Sequence, residues 1–442
     1  MLQLLTKISP ARITVVSFIG LISIGTLLLM LPFCGSQRSL TLLEAFFTAT
    51  SAVCVTGLAV VDTGQDFSTF GQVVLLLLIQ LGGLGMMVLS SGAVVLLGGK
   101  LGLKEKSILK ATIPGLQLSG VGALLKGTVL FTLVIEAIGA VLLFLLWAPQ
   151  LGWLKAAWYG TFHSISAFCN AGFSLWSNSL MDYSAHAGVN IVVMALIIFG
   201  GFGFLLCSDV WRARSRGRRP TLHSRLALRV SLFLIVFGAI FFFLFEYNNP
   251  LTLGPMTAWE QFWSSLFQSV TTRTAGFNSI DLAGCRAETL EMMMFLMLIG
   301  GCPGSTAGGL KTTTLAVLIL AVYNNLKGRT KVVVMERVIP NERVVQALAI
   351  LGIMFTASWL GAITLSSLEP SAFQENLFET VSAVGTVGLS TGLTAGLSTG
   401  AKLLLCLYMF MGRVGPLTLA VSLLTRSEDK RIGYVSEDIT IG

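Results

Sequence analysis

Four segments of the chain repeat one short pattern around a shared glycine. They read Ser51-Ala-Val-Cys-Val-Thr-Gly-Leu58, Ser166-Ala-Phe-Cys-Asn-Ala-Gly-Phe173, Val270-Thr-Thr-Arg-Thr-Ala-Gly-Phe277 and Ser382-Ala-Val-Gly-Thr-Val-Gly-Leu389. The segments recur at intervals of roughly 110 residues, and self-similarity at a regular period is typical of a repeated architecture. One such tripeptide would be an ordinary chance match, but four at one position of a repeat form a specific signal.

Each segment follows a short, helix-compatible stretch that contains aromatic residues. The stretches cover residues 41–50, 156–165, 257–269 and 372–381. A helix of about ten to thirteen residues is too short to span a bilayer, which takes about 20. Longer apolar runs lie before and after each stretch. The predicted unit is therefore a spanning helix, a re-entrant half-helix, a glycine loop and a second spanning helix.

The composition indicates that lipid is the solvent. Of 442 residues, 54% are hydrophobic and only 11% are charged, whereas a soluble domain carries about 25% charged residues. We read the first apolar run as a spanning helix and not as a signal peptide, because it is long and lacks a clear small-residue cleavage site. Apolar runs of near-spanning length cover residues 14–31, 73–97, 130–147, 189–207, 227–245, 345–365 and 403–424.

These observations predict an all-α integral membrane protein in which eight spanning helices surround one central pore. The fold would consist of four pseudo-repeats, and its pore would resemble that of a K⁺ channel. The predicted boundaries are residues 1–110, 111–222, 223–340 and 341–442, the last including a short cytoplasmic tail.

The formal charge of +8 is explained by topology. In the predicted arrangement most of the 29 Lys and Arg side chains fall on one side of the membrane, which is the positive-inside rule. Both termini are then cytoplasmic. We expect contact with membrane lipid and no nucleic-acid partner. The seven cysteines are scattered without a C-x-x-C pair, so we predict neither a metal site nor a disulfide framework.

The glycine loops have the chemistry of an ion filter. Irregular backbone inside a membrane must be buried in protein or line a water-filled cavity. Its carbonyl oxygens lack helical partners, and a dehydrated cation can bind them. Glycine permits the required backbone angles, and the carbonyl ends of half-helices carry partial negative charge. The predicted ion-binding residues are Val55, Thr56, Gly57, Asn170, Ala171, Gly172, Thr274, Ala275, Gly276, Thr386, Val387 and Gly388.

A second glycine motif follows each loop at a nearly equal distance. It reads Gly82-Gly-Leu-Gly85, Gly200-Gly-Phe-Gly203, Gly300-Gly-Cys-Pro-Gly304 and Gly412-Arg-Val-Gly415. One such motif would be read as close helix packing, but four indicate a shared architectural position. In the fourth motif Arg413 replaces a glycine. An intramembrane Arg usually faces a cavity or a partner, so two readings stay open: a buried ion pair, or a positive charge below the filter that contacts the third unit.

The last helix of the third unit is anomalous. From residue 288 to 326 it would run for about 39 residues, beyond the roughly 20 that one span needs. Its middle, residues 300–309, contains helix-breaking glycines and Pro303. A static kink and a gate are the two readings. The predicted gate residues are Gly300, Gly301, Gly304, Ser305, Thr306, Gly308, Gly309, Lys311 and Arg413.

The same stretch nearly matches a phosphate-binding loop of the Walker A type, but the match fails. Leu310 separates Gly309 from Lys311, and an apolar helix precedes the glycines in place of a strand. We therefore reject nucleotide binding by this chain. For Lys311, capping of a helix end and a gating role both stay open. His163 and Arg273 adjoin filter loops, and we expect them to support the loops by packing or hydrogen bonds.

With these motifs the chain resembles the membrane subunit of Ktr potassium transporters, within the Trk/Ktr/HKT superfamily. The resemblance covers nearly the whole chain and depends on the four segments, the break at residues 300–309, Arg413, the total length and the short tail at residues 434–442. It implies K⁺ uptake, often stimulated by Na⁺, by a homodimer in the bacterial cytoplasmic (inner) membrane. It also implies a cytosolic nucleotide-binding regulatory ring subunit, a gate at residues 300–309, and no organic cofactor bound by this chain.

The alternatives concern selectivity and class. Val55 and Asn170 replace the Thr of a T-x-G pattern that loops 274–276 and 386–388 keep, so the filter is asymmetric. A Na⁺ or weakly selective monovalent cation pathway on the same fold is the second hypothesis. A membrane-embedded enzyme is disfavoured, because no His cluster, paired carboxylates or nucleophile–base spacing is visible. A non-conducting scaffold would not need four matching glycine loops.

Overall fold

The part of the chain that the computed structural model describes, residues 10–96, 121–415 and 419, is mostly helical. The predicted tail at residues 434–442 and the predicted boundary between the first two units lie outside this part. Its α-helices, in chain order, are α1 (Pro10–Leu29), α2 (Leu42–Val53), α3 (Thr69–Leu96), α4 (Val121–Leu151), α5 (Trp153–Cys169), α6 (Ala187–Ser215), α7 (Leu222–Glu246), α8 (Ala258–Thr271), α9 (Ala287–Leu298), α10 (Thr312–Leu326), α11 (Asn341–Leu368), α12 (Phe373–Gly385) and α13 (Thr399–Val414).

The long helices are apolar on their outer faces. Within the described ranges, Leu125–Leu151, Ala187–Ser215, Leu222–Glu246 and Asn341–Leu368 are long and apolar enough to cross a membrane. On α4, Leu130 and Leu145 are 65% and 59% exposed. A surface this apolar is not compatible with water over such an area. Lipid is therefore the medium that covers it.

Short helices are present where the sequence predicts half-helices. They are α2, α5, α8 and α12, and they have 12, 17, 14 and 13 residues. Two of them begin with a capping box, in which Thr41 pairs with Glu44 and Thr257 with Glu260. Reciprocal hydrogen bonds of this kind satisfy N–H groups that a helix start leaves unpaired. The carbonyl end of each short helix is buried.

The helices close into a ring. Each short helix packs chiefly against the long helix before it: α2 on α1, α5 on α4, α8 on α7 and α12 on α11. Each helix that follows a glycine segment packs against the next short helix, so that α3 contacts α5, α6 contacts α8 and α9 contacts α12. Finally α13 contacts α2. The last part of the chain thus returns to the first.

In the first three units the helix after the glycine segment is interrupted, and in the fourth α13 ends at Val414. Only the interruption in the third unit was predicted. Backbone φ is positive at Gly85 in α3 (74°), at Gly203 in α6 (72°), at Gly304 between α9 and α10 (77°) and at Gly415 after α13 (91°). The predicted break at residues 300–309 is confirmed, since α9 ends at Leu298 and α10 begins at Thr312. The predicted runs 73–97 and 189–207 are broken as well. A left-handed glycine has no side chain to clash there, and this conformation turns the chain out of the helix.

One short sheet departs from the all-α prediction. Strand β1 (Val332–Val334) pairs antiparallel with β2 (Arg337–Ile339), with Val333 opposite Val338. The connecting residues Met335 and Glu336 have φ values of 48° and 63°. Two residues in the left-handed region give the type of turn that matches the twist of a hairpin. The β-branched residues on both sides explain why this segment is not helical.

Candidate functional site

Four loops that follow the short helices meet around one point. We call them loop 1 (residues 55–57), loop 2 (170–172), loop 3 (274–276) and loop 4 (386–388). Their glycines lie so close to the next loop that a Cβ atom would collide with its backbone. The distances from such a Cβ to the facing carbonyl oxygen are 2.5 Å (Gly57 to Ala171), 2.8 Å (Gly172 to Ala275), 2.5 Å (Gly276 to Val387) and 2.0 Å (Gly388 to Thr56). Because loop 4 returns to loop 1, the twelve predicted filter residues form a closed ring.

The backbone of every loop is left-handed at two positions. The first is not a glycine: φ is 54° at Val55, 59° at Asn170, 71° at Thr274 and 51° at Thr386. The second is the shared glycine, with φ between 70° and 97°. A left-handed non-glycine residue is strained by roughly 1–3 kcal/mol, and such strain persists only where the surroundings hold it. Alternating handedness turns successive carbonyls to the same side, which is the geometry of a ring of oxygen ligands.

Hydrogen bonds to carbonyl groups of the short helices hold three of the loops. The N–H groups of Thr56, Ala171 and Val387 donate to the carbonyls of Ser51, Ser166 and Ser382, each at 2.8 Å. This bond, closed over a left-handed residue, is the Schellman end of a helix. Loop 3 differs by one residue, because the Ala275 N–H donates to the Thr271 carbonyl at 2.9 Å. The four loops are therefore similar but not identical.

Hydroxyl groups add a second contact at the same helix ends. The Ser51 and Ser382 side chains accept from the N–H groups of Gly57 and Gly388, both at 3.1 Å. Ser166 and Thr271 instead donate to the carbonyls of Phe173 and Phe277, both at 2.8 Å. Sequence reasoning missed these hydroxyls. The signal was present, since a Ser opens three of the four matching segments.

The second glycine motif is explained by close approach to the short helices. A Cβ atom on Gly82, Gly200 or Gly412 would lie about 2 Å from a carbonyl oxygen in the last turn of the short helix of the same unit: 2.1 Å from Val53, 1.9 Å from Phe168 and 2.1 Å from Val384, respectively. In the third unit Gly300 faces the carbonyl of Gly308 instead, also at 2.1 Å. The motif therefore holds the interrupted helices directly against the ring, and small side chains are required for that packing.

The 300–309 loop lies against the ring. A Cβ atom on Gly308 would be 1.9 Å from the Thr386 hydroxyl, and one on Gly300 would be 3.2 Å from the Thr274 methyl group. The base of the loop is closed, since the N–H of Gly300 donates to Leu310 at 2.8 Å and that of Leu310 donates to Leu298 at 3.0 Å. The predicted gate residues are thus brought together with loops 3 and 4.

The 300–309 loop is also bonded to the broken helix α6. The N–H groups of Cys302 and Thr306 donate to the carbonyls of Gly201 and Gly200 at 2.8 and 3.2 Å. The Thr306 hydroxyl donates to the Phe168 carbonyl at 3.1 Å. Gly200 and Gly201 belong to the glycine motif that ends at the left-handed Gly203. The glycine motif at the break in α6 therefore supplies carbonyl acceptors for the N–H groups of Cys302 and Thr306 in the 300–309 loop.

Arg413 joins three units through backbone carbonyls. Its guanidinium donates to Thr306 in the 300–309 loop, to Gly82, and to Gly83 at 3.3 Å. No described carboxylate lies within ion-pair distance of it. The ion-pair reading therefore has no partner in the described residues, and the expected contact with the third unit is present. A planar guanidinium can satisfy several carbonyls at once.

Two other cations stabilise the same loop. The Arg273 guanidinium donates to the carbonyls of Gly300 and Ser231, both at 3.2 Å. The Lys311 ammonium donates to the carbonyls of Ala307 and Gly308 at 2.6 and 3.2 Å. Arg273 therefore supports the structure by hydrogen bonds, but these reach the 300–309 loop and α7 and not the filter loop that it adjoins. Lys311 stands at the residue before α10, but its side chain makes no capping bond to that helix and folds back over the loop. The capping reading is therefore not supported.

The fold and this site define a class: a membrane protein whose broken helices surround a ring of four glycine loops. A family model described as TrkH, cation transport protein, matches residues 7–432. The chain belongs to this family, and the resemblance to the Ktr membrane subunits that was drawn from the motifs is confirmed.

Individual relatives agree with the family assignment. The chain is 41% identical to the Ktr system potassium uptake protein B of Bacillus subtilis (strain 168), with 99% of this chain and 97% of that protein covered. It is 38% identical to the potassium/sodium uptake protein NtpJ of Enterococcus hirae, with 99% and 98% covered. The crystal structure of the potassium transporter TrkH from Vibrio parahaemolyticus has a similar fold, with a TM-score of 0.73 over 93% of this chain and 83% of that one, at 21% identity.

Proposed function

We propose that this protein takes up K⁺ across the bacterial cytoplasmic membrane through the ring of loops 1 to 4. The observation that carries the proposal is the closed ring of left-handed glycine loops at the carbonyl ends of four short helices. Such a ring offers oxygen ligands to a dehydrated cation, and the helix ends favour positive charge. The buried hydroxyls of Thr56 and Thr386 have no hydrogen-bond partner in the described part of the chain, so they are also available to the ion.

The proposed architecture follows the same units. Four pseudo-repeats, at residues 1–110, 111–222, 223–340 and 341–442, contribute two spanning helices each, and both termini are cytoplasmic. The cyclic packing of the short helices supports this arrangement. Transport and not catalysis is the proposed activity, because the curated relatives are uptake proteins.

The 300–309 loop is the proposed gate, and Arg413 is part of it. Gly308 contacts Thr386 and Gly300 contacts Thr274, which supports this role. A shift of the 300–309 loop would remove these contacts and so change the surroundings of loops 3 and 4. By analogy with the Ktr uptake proteins, we further propose a homodimer, stimulation by Na⁺ and control by a cytosolic nucleotide-binding regulatory ring subunit.

The test is uptake of K⁺ by cells that lack their own K⁺ transporters. Expression of this chain with a Ktr regulatory subunit should restore growth at low K⁺, and an otherwise identical Gly388→Ser variant should not. No rescue, together with no tracer uptake by the purified protein in vesicles, would contradict the proposal.

A Na⁺ or weakly selective pathway is the second candidate. It is favoured by the asymmetric first positions of loops 1 and 2 and by the similarity to a potassium/sodium uptake protein. The same vesicles distinguish the two candidates, because a weakly selective pathway would transport Na⁺ at a rate comparable to K⁺.

Substitution of Arg413 should accelerate uptake. A fixed charge repels a cation by about 4 kcal/mol at 4 Å and an effective dielectric of 20, and nearby carbonyls and water reduce this figure. Arg413→Ala should therefore fold and raise the maximal uptake rate roughly tenfold, which corresponds to about 1.4 kcal/mol of barrier. Arg413→Lys should stay closer to the unaltered protein because it keeps the charge.

The matched control is Lys402→Ala, which removes a positive charge from the same helix, α13, away from the ring loops. It should leave the rate within about twofold, a difference of under 0.5 kcal/mol. Loss of folded Arg413→Ala protein in detergent, with no rate gain in what remains, would show that the residue is structural.

A further inference from the structure

Three buried polar side chains lie behind the ring at one matched position. They are His163 on α5, Gln268 on α8 and Glu379 on α12, and none of them has exposed surface. Each makes a hydrogen bond to a serine eleven residues further along the chain: Ser174, Ser279 and Ser390. The three serines belong to the segments that leave loops 2, 3 and 4. We call these segments the outer limbs.

Glu379 makes the most contacts. One carboxylate oxygen accepts from the Ser390 hydroxyl at 2.6 Å, from the Thr391 N–H at 3.0 Å and from the Thr391 hydroxyl at 3.4 Å. The other accepts from the Thr394 hydroxyl at 2.5 Å. Hydrogen bonds to a carboxylate are stronger than those between neutral groups. One side chain of α12 thus fixes the outer limb of loop 4 at three successive points.

His163 and Gln268 bond the outer limbs of loops 2 and 3 in the same way, but with fewer hydrogen bonds than Glu379 makes. His163 Nε2 accepts from the Leu175 N–H at 3.3 Å and lies 3.1 Å from the Ser174 hydroxyl, while Nδ1 lies 2.8 Å from the Tyr159 carbonyl. Nε2 is therefore the acceptor and Nδ1 carries the proton. The Gln268 amide donates to the Ser279 hydroxyl at 3.1 Å.

The first unit lacks this contact. Its matching residues are Thr48 on α2 and Ala59 after loop 1. The Thr48 hydroxyl is buried and has no hydrogen-bond partner in the described part of the chain, and Ala59 has no polar side chain. The outer limbs are therefore supported unequally: those of loops 2 to 4 are bonded to their short helices by this contact, and the segment after loop 1 lacks it.

We propose that Glu379, Gln268 and His163 are positioning residues that set the K⁺ over Na⁺ discrimination of the ring by fixing the outer limbs of loops 4, 3 and 2. The inference rests on the proposed function of the ring. Discrimination depends on where the carbonyl oxygens stand and on how far they can move. A hydrogen bond between the outer limb and a packed helix restricts that movement, and this restraint is present behind loops 2 to 4 but not behind loop 1.

The experiment uses the purified full chain in lipid vesicles, with rubidium tracer uptake measured under competition by K⁺ or by Na⁺. The readout is the ratio of the two inhibition constants. Glu379→Ala should lower K⁺ over Na⁺ discrimination on the order of tenfold, the change that loss of one charge-assisted hydrogen bond gives. Glu379→Gln, which keeps one acceptor, should lower it less, and Ser390→Ala less again.

Two variants serve as matched controls. Glu375→Gln removes an exposed carboxylate one turn earlier on α12, and Thr48→Val removes the unbonded hydroxyl at the matching position of unit 1. Both should leave the ratio within about twofold. If Glu379→Ala does not fold, the ratios measured for Glu379→Gln and Ser390→Ala test the positioning role instead. Both variants keep the packing nearly intact.

The outcomes separate the inference from the function on which it rests. Tracer uptake by the unaltered protein, with the same ratio in all Glu379 and Ser390 variants, would overturn the positioning role and leave the pore in place. A change in Thr48→Val as large as in Glu379→Ala would also overturn it, because no bond is lost there. Absence of tracer uptake by the unaltered protein would overturn the pore itself.

Discussion

Gly388→Ser should abolish most K⁺ uptake while the protein still inserts and folds. A Cβ atom at this position would lie 2.0 Å from the Thr56 carbonyl oxygen, at the seam where loop 4 meets loop 1. The backbone φ of 91° is also strained for any residue with a side chain. Strain of this kind costs about 1–3 kcal/mol, which corresponds to roughly a 5- to 150-fold loss of K⁺ affinity. The measurement is the concentration dependence of K⁺ uptake, with Na⁺ uptake measured in parallel.

The control for this substitution lies in the same unit. Gly396 is exposed, its φ is not positive, and a Cβ atom there would meet nothing within 4 Å. Gly396→Ser should therefore leave uptake unchanged. Serine variants of Gly57, Gly172 and Gly276 should weaken uptake as well and raise relative Na⁺ permeation. Unchanged K⁺ affinity in all four ring variants would exclude the ring as the filter.

Removal of residues 304–308 should produce a faster and less regulated transporter. The deletion takes away the contact of Gly308 with Thr386 and the Thr306 carbonyl to which Arg413 donates. The base of the loop should survive, because the bonds of Gly300 and Leu310 close it outside the deleted stretch. We expect the uptake rate to rise roughly tenfold or more, since the loop and part of the repulsion by Arg413 are both lost.

The result is read from two measurements. The first is the maximal uptake rate without the regulatory subunit, which should rise. The second is the ratio of rates with and without that subunit and its nucleotide, which should approach one. A control variant with Gly352→Ala, on α11, where φ is not positive and no neighbour lies within 4 Å of the added carbon, tests general sensitivity. A folded deletion variant that keeps the original rate and regulation would show that the stretch is a static kink.

Much of the site could be predicted from the sequence, because its features are periodic and local. Thr-x-Gly segments after short stretches identified the loops, and the excess length of residues 288–326 identified the break between α9 and α10. Arg413 was recognisable because glycine occupies its place in the other units. Each of these inferences needed only spacing and residue type.

The remaining features depend on partners that are distant in sequence. The breaks at Gly85 and Gly203 were not predicted, because an apolar run with glycines is compatible with a continuous spanning helix until its neighbours are known. Glu379 was not singled out either, since its partners at Ser390 and Thr394 lie beyond the loop. The hairpin at Val332–Ile339 did carry a signal, a row of β-branched residues, but it is short and was outweighed by the helical composition of the chain.

The seam between loops 4 and 1 has a consequence for how the protein is made. Arg413 bonds the carbonyl of Gly82, a residue 331 positions earlier, and Gly388 packs on Thr56. At a synthesis rate of about 5–20 residues per second, the first unit therefore waits roughly 15–70 s in the bilayer before its partner emerges from the ribosome. During that time the ring is open on one side and cannot present a complete set of ligands. A nascent chain would thus complete the proposed permeation pathway only after α13 has been made, so incomplete chains should not make the membrane leaky.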